Sequence, residues 1–147
     1  MRKLIAAAAI AAASSAPLMA QAFETWVPSK EVWNIAFVKV APGAFDQYMA
    51  GLKQTWVGSC EEQKKLGTVL ECSIFASETG NNRDFNVMLV IKQPSSAVND
   101  PDPARAAKLK AALEARLSKD KRDGLVTSYK ELRTFFGEQD FRRIELK

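Results

Sequence analysis

The sequence predicts an α+β fold whose elements follow the order β-α-β-β-α-(α)-β. A run of β-branched and aromatic residues at 32–40 precedes a helical apolar periodicity over 44–66. Two further strand-forming runs, 69–76 and 84–91, flank Gly-, Asn- and Ser-rich turn residues and so predict a β-hairpin. A second helical region and a final strand-forming segment complete this order.

The first predicted helix follows from the spacing of its apolar residues. They recur at intervals of i, i+3, i+4 and i+7, which places them on one helix face. These residues are Phe45, Tyr48, Met49, Leu52, Trp56 and Cys60. Pro42 and Gly43 end the preceding strand, and Gly67 ends the helix as a residue that tolerates the left-handed conformation.

The second half of the chain predicts two helices and the last strand. Asp102 is suited to cap a helix that begins at Pro103 and extends to residue 121. A break at Asp123-Gly124 leads to a shorter helix that ends at Gly137, and 140–146 predict the closing strand. This order is the split βαβ, or ferredoxin-like, arrangement, with a four-stranded antiparallel sheet and helices on one face.

Alternation along the strands predicts which residues share a face of the sheet. The face expected to pack on the helices holds Trp33, Ile35, Phe37, Cys72, Ile74, Phe85, Val87, Leu89 and Ile144. The opposite face is expected to hold Asn34, Ala36, Val38, Glu71, Ser73, Asn86, Met88, Arg143 and Glu145. Because this second face is too apolar for water, we expect a second copy of the chain to cover it, forming a homodimer.

The N-terminal segment predicts export. Two basic residues precede an uncharged stretch at 4–13, and an A-x-A cleavage motif ends at Ala22. The segment 1–22 is therefore interpreted as a signal peptide, too short and alanine-rich to be a stable membrane span. The remaining residues, 23–147, are expected to form a single periplasmic or secreted domain without stable membrane insertion.

The composition excludes several classes of chemistry. The chain contains no histidine and only two cysteines. This excludes Ser-His and Cys-His nucleophile pairs, histidine-ligated haem or zinc, and a four-cysteine cluster within one chain. Phosphate-binding glycine motifs are absent from the sequence. We therefore expect no cofactor and no metal site.

A basic stretch in the second half does not predict nucleic-acid binding. Its positive residues are Arg105, Lys108, Lys110, Arg116, Lys119, Lys121 and Arg122. Glu114, Asp120 and Asp123 interrupt them, as is typical of a solvated helix face. No nucleic acid is expected as a partner of an exported protein with this pattern.

The two cysteines are expected to form a disulfide. Cys60 lies on the apolar stripe of the first helix, and Cys72 lies on the predicted helix-facing side of the next strand. An oxidising compartment favours a bond, which would stabilise the fold by about 3 kcal/mol through loop-closure entropy. The alternative, two buried free thiols, remains open at this point.

Several segments resemble secreted bacterial dimeric α/β-barrel proteins of a functionally uncharacterised branch. The resemblance rests on 37–48, Leu52, Trp56, 61–67, 132–137 and 143–147. It covers essentially all of 23–147 and implies a ferredoxin-like fold and a homodimer. The wider superfamily includes cofactor-free monooxygenases, small-ring isomerases and haem enzymes, and the absence of histidine separates this chain from the haem branches.

The resemblance also implies a ligand-binding cleft between the sheet and the helices. Its candidate aromatic residues are Trp33, Tyr48, Trp56 and Tyr129, for which the alternative role is ordinary core packing. Arg133 is a candidate for binding a carboxylate or phenolate at the rim, near Asn34, Glu71 and Asn86. The alternative is a structural ion pair, or an interface network around Arg143, Glu71 and Glu145 at the contact between two sheets.

Two functions remain compatible with the sequence. The first is an exported, non-enzymatic homodimeric module that binds a small apolar ligand or a protein partner. The second is a cofactor-independent oxygenase or isomerase that acts on an aromatic or polyketide-like molecule. The second requires an acid or base in the cleft, for which only tyrosines and carboxylates remain.

We expect the exported protein to begin at Phe23, because signal peptides are cleaved after the small residue that closes an A-x-A motif. The intact mass of protein recovered from the periplasmic fraction measures this directly. A mass that still includes Met1 in that fraction would contradict the prediction.

Overall fold

A computed structural model describes residues 25–78 and 84–147. The predicted signal peptide and residues 79–83 of the hairpin turn lie outside the described residues. The strands are β1 (Trp26–Pro28), β2 (Val32–Val40), β3 (Glu71–Ala76), β4 (Val87–Gln93), β5 (Arg133–Phe141) and β6 (Ile144–Leu146). The helices are α1 (Phe45–Gln54), α2 (Trp56–Lys65), α3 (Pro103–Arg116) and α4 (Lys119–Leu132). None of the helices in the described ranges has the length and apolar character of a membrane span.

The central sheet confirms the predicted fold. Its four strands are antiparallel and lie in the order β3-β4-β2-β5. Among the four strands of this sheet, β2 is the first along the chain and β4 is the third, and these two lie in the middle. This is the ferredoxin-like arrangement. The short strands β1 and β6 form a separate two-stranded sheet that brings the two ends of the domain together.

The first predicted helix is divided into two. α1 ends at Gln54 and α2 begins at Trp56, with Thr55 between them at φ −97° and ψ −70°. The Thr55 hydroxyl donates to the carbonyl of Gly51 at 3.0 Å. A threonine side chain that bonds to the preceding turn bends a helix, which explains why a continuous apolar stripe does not give one straight helix.

The last strand begins earlier than the sequence predicts. The final helix ends at Leu132, and β5 spans 133–141. The sequence predicts residues 133–137 as part of that helix. Residues 133–136 include threonine and two phenylalanines, and they pair with the free edge of β2. A register shift opposite Phe37 and Val38, with Gly137 at φ +124°, absorbs the irregular backbone. Ile144, predicted for this sheet, pairs with β1 instead.

A small apolar core lies between the sheet and helices α1 and α4. Its buried members are Val38, Val40, Tyr48, Leu52, Val87, Leu89 and Tyr129. Strand residues contribute short β-branched or leucine side chains, whereas the helices contribute the two tyrosines. The two tyrosine rings pack edge-on inside the domain, and each hydroxyl group has a polar partner.

The prediction for the two faces of β2 is wrong. Ala36, Val38 and Val40 pack toward the helices, whereas Trp33 and Ile35 line a groove on the opposite side of the sheet. The register pairs Ile35 with Val90, not with the helix-facing Leu89. A shift of one residue moves every side chain of a strand to the other face, and β2 is apolar on both faces, so alternation alone could not select the correct one.

The disulfide prediction is confirmed. Cys60 of α2 and Cys72 of β3 are bonded, with their Cα atoms 6.4 Å apart. The bond ties α2 to an edge strand of the sheet.

A buried carboxylate joins α2 to α3. Glu62 is only 8% exposed, and its Oε1 lies 2.8 Å from Lys65 Nζ and 2.9 Å from Arg116 Nη1. The hydrogen bond from Lys65, followed by that from Arg116, holds the pKa of Glu62 below its ordinary value. The folded state therefore favours the ionised carboxylate.

We expect Glu62→Gln to destabilise the protein at neutral pH and to lose this effect in acid. A carboxyl group with a lowered folded-state pKa contributes stability above its unfolded pKa, and that contribution disappears as the pH falls through the folded pKa. Urea unfolding of both proteins over an acid series measures the difference. The control is Glu131→Gln, which changes an exposed carboxylate. An unfolding difference that stays constant with pH would show that Glu62 acts through packing alone.

Candidate functional site

A cavity of about 230 Å³ lies between the helical layer and the sheet. It is lined by Leu52, Thr55, Trp56, Leu89, Val126, Tyr129 and Arg133. These residues come from α1, the α1–α2 junction, α2, α4, β4 and the start of β5, so the cavity depends on the whole fold. Val126 is 51% exposed, which places one side of the cavity at the surface of α4.

Arg133 is the positively charged residue of the cavity wall. It is the first residue of β5, in extended conformation immediately after α4 ends. Its Nη1 donates to Tyr48 Oη at 3.0 Å, and its Cζ lies 5.5 Å from the Tyr48 ring centroid and 5.4 Å from that of Tyr129. Within 25–78 and 84–147, no carboxylate oxygen lies within 4.0 Å of this guanidinium.

Tyr48 is completely buried beneath Arg133. Burial raises the pKa of its phenol, and the neighbouring Arg133 opposes this effect only in part. The Tyr48 ring meets the Tyr129 ring edge-on, with centroids 5.3 Å apart. Tyr48 is therefore a neutral phenol at physiological pH, and its oxygen accepts the hydrogen bond from Arg133.

The hydroxyl groups of Tyr129 and Thr55 form a short chain of hydrogen bonds. Their oxygens are 2.6 Å apart, and Thr55 Oγ1 lies 3.0 Å from the Gly51 carbonyl oxygen. A hydroxyl carries one proton, and a carbonyl can only accept. Thr55 therefore donates to Gly51, and Tyr129 donates to Thr55. The Tyr129 oxygen keeps its own acceptor capacity for another partner.

The structure brings four of the five predicted ligand-binding residues together. Tyr48, Trp56, Tyr129 and Arg133 lie within or directly beneath the cavity. Trp33 does not join them, because β2 presents it on the opposite face of the sheet.

Within the described residues of one chain, Arg143, Glu71 and Glu145 do not form a single network with Arg133. Arg143 pairs with Glu145 within two residues on the short outer sheet. Glu71 accepts from the Ser73 hydroxyl at 2.9 Å on strand β3. Among the residues that were expected near Arg133, Asn34 donates to Asp140, and Asn86 bridges the backbone N–H and carbonyl of Val40.

Sequence reasoning missed Gly51 and Thr55. An ideal Cβ at Gly51 would lie 2.8 Å from Tyr129 Cε1 and 3.0 Å from its hydroxyl oxygen, so only glycine allows α4 this close to α1. A glycine inside a helical pattern lowers helix stability relative to alanine, and its presence there points to a packing requirement. That signal, together with Thr55 one turn later on the same face, was available in the sequence.

A second groove, of about 270 Å³, runs over the open face of the sheet. Its lining residues are Trp33, Ile35, Glu71, Ser73, Phe75, Met88, Val90 and Lys92. Lys92 Nζ lies 5.1 Å from the Trp33 ring centroid and pairs with Glu31 at 2.9 Å. Phe37 and Phe85 contact each other nearby, with ring centroids 4.9 Å apart. Most of this face is apolar and belongs to a sheet that the helices cover only on the other side.

No family model matches the chain, and no curated protein matches it. Solved structures resemble it at low identity. A conserved protein of unknown function from Bacteroides thetaiotaomicron, described as a possible oxidoreductase, is 16% identical at a TM-score of 0.45, with 78% of this chain and 99% of that chain covered. SnoaB, a cofactor-independent oxygenase from Streptomyces nogalater, is 9% identical at a TM-score of 0.44, with 77% of this chain and 92% of that chain covered.

A dimeric ferredoxin-like protein of unknown function from Thermobifida fusca is also similar, at 7% identity and a TM-score of 0.40, covering 78% of this chain and 91% of that chain.

We expect Gly51→Ala to lower the free energy of unfolding by about 1–3 kcal/mol, because the new methyl group must displace the buried Tyr129 ring. Gly124→Ala is the matched control. It lies inside α4 with no heavy atom within 4 Å of an added Cβ, so alanine should stabilise the helix by about 0.5–1 kcal/mol. Urea unfolding measures both changes. Equal effects of the two substitutions would contradict the close-packing role of Gly51.

Proposed function

We propose that this protein is an exported, non-enzymatic homodimeric module that binds a small apolar ligand in the cavity beside Arg133. One observation carries the proposal: an apolar cavity that reaches the protein surface combines a few polar groups at one side with aliphatic and aromatic walls. Ligand sites generally have this composition, in which apolar walls supply affinity and a few polar groups set orientation.

Binding has better support than catalysis at this site. A cofactor-independent oxygenase or isomerase needs a group that removes a proton from its substrate. None of the seven lining residues is a carboxylate, and the raised pKa of Tyr48 keeps its phenol protonated at neutral pH. The arrangement therefore favours holding a ligand over activating one.

The open sheet face supports the homodimer. Its apolar side chains include Phe75, which is 52% exposed, and the half-buried Ile35, Met88 and Val90. Two copies related by a two-fold axis would cover both faces at once with a self-complementary contact. A persistent contact of this kind buries about 1,200 Å² or more in total, which a four-stranded sheet face can supply.

Export is supported by two independent features. The N-terminal 22 residues have the pattern of a signal peptide. The bond between Cys60 and Cys72 is of the kind that persists in oxidising compartments such as the periplasm.

The dimer is tested by Val90→Asp. A carboxylate at this position would be buried without a partner if the sheet faces pack together, so the variant should sediment as a monomer at micromolar concentration, while the wild type sediments as a dimer. Leu146→Asp is the control, since Leu146 is 84% exposed on the outer two-stranded sheet. A monomeric wild type, or a dimeric Val90→Asp variant, would refute the proposed interface.

The cavity is tested with indole-acetamide, a neutral two-ring probe, by isothermal titration calorimetry. We expect one site per protomer in the wild type and loss of binding in Val126→Trp, where the larger ring fills the exposed side of the cavity. Thr127→Trp adds the same bulk at the neighbouring exposed position and should leave binding unchanged. Equal binding by Val126→Trp and the wild type would place the ligand elsewhere.

A further inference from the structure

The guanidinium of Arg133 lacks a counter-ion in the part of the chain that the structure describes. A guanidinium has five N–H donors, and Arg133 uses one of them, toward Tyr48 Oη. The rings of Tyr48, Tyr129 and Phe135 surround its Cζ at 5.4–5.5 Å. Aromatic faces attract a cation, but they neither carry a full negative charge nor occupy the remaining donors.

This environment makes a bound anion favourable. Arg133 is half-buried in a cavity whose other walls are largely apolar, so water screens its charge less than it would on an open surface. Hydrogen bonds in which both partners are charged are stronger than neutral ones, and a guanidinium fork matches the two oxygens of a carboxylate.

The rest of the cavity limits the body of the ligand. Its volume of about 230 Å³ is below the range of about 300–1,000 Å³ that is typical of sites for drug-sized molecules, which indicates one or two rings. Leu52, Trp56 and Leu89 offer apolar contact. Tyr129, whose proton is donated to Thr55, offers an acceptor oxygen to a ligand donor group.

We propose that the ligand of this cavity is a small organic carboxylate with an apolar body of one or two rings, its carboxylate bound by the free N–H groups of Arg133. This inference rests on the proposed binding function and names its ligand class. A neutral ligand of the same shape leaves the guanidinium without a counter-ion, so charge selectivity is the property that distinguishes an anion site from a merely apolar cavity.

The test compares indole-acetate with indole-acetamide, which differ in charge but hardly in shape, by isothermal titration calorimetry. In the wild type we expect the carboxylate to bind at least about tenfold more tightly, the factor that a charge-assisted hydrogen bond supplies. Arg133→Gln should abolish this preference. Arg142→Gln removes the same charge from an exposed position outside the cavity, so this variant should still prefer the carboxylate.

Arg133→Lys provides a second variant, because it keeps the charge and loses the planar fork. Arg133→Lys should retain a reduced preference for indole-acetate. Circular dichroism reports whether each variant is folded, and Arg133→Lys tests the inference if Arg133→Gln is not. Equal binding of the two probes by the wild type would overturn the anion inference while leaving the proposed cavity function intact. Failure of both probes to bind would overturn the cavity function itself. An unchanged preference in a folded Arg133→Gln variant would exclude Arg133 as its source.

Discussion

The close contact between α1 and α4 at Gly51 is the constraint on which the site depends. The Tyr129 ring lies against the position that the Cβ of any larger residue at 51 would take. The two helices therefore pack closely only because residue 51 has no side chain. Tyr129 in this position reaches the Thr55 hydroxyl and packs edge-on against Tyr48. Three residues after Tyr129, α4 ends at Leu132, and Arg133 enters the sheet beside the cavity.

The sheet imposes a second constraint, because it is apolar on both faces. Helices α1 and α4 cover the face that carries Val38, Val40 and Leu89. The face that carries Trp33, Ile35 and Val90 is an open groove, which no helix covers among the residues that the structure describes. Covering it would complete the burial of residues that the isolated chain leaves half-exposed. The two faces of the sheet therefore differ: one supports the cavity beside Arg133, and the other carries the open apolar groove.

The electrostatics of the cavity follow from what surrounds each group. Burial raises the pKa of Tyr48 and keeps it neutral, which leaves Arg133 as the charged group that defines the polar side of the cavity. Glu62 shows the opposite case, since Lys65 and Arg116 compensate its charge and lower its pKa. The buried charge of Glu62 joins α2 to α3, whereas the half-buried guanidinium of Arg133 donates to Tyr48 and faces the cavity.

The sequence by itself determined the four strands of the central sheet, their order along the chain, and which residues share one face of the first helical segment. The apolar spacing that includes Tyr48, Leu52 and Trp56 correctly placed these residues on the inner side of the helices, because periodicity is a local property. The pairing of Cys60 with Cys72 was also predictable, since Cys60 lies on the apolar stripe of the first helical segment and Cys72 on the helix-facing side of the next strand.

Only the tertiary structure decided which face of β2 meets the helices and where the final strand begins. The register of β2 against β4 is set by the sum of pairings across the sheet, and a one-residue difference exchanges Trp33 for Asn34 on the helix side. The segment after Leu132 becomes strand because the edge of β2 is there to pair with it. Such partners are distant in the sequence, and for that reason no local pattern could decide which residues of β2 face the helices.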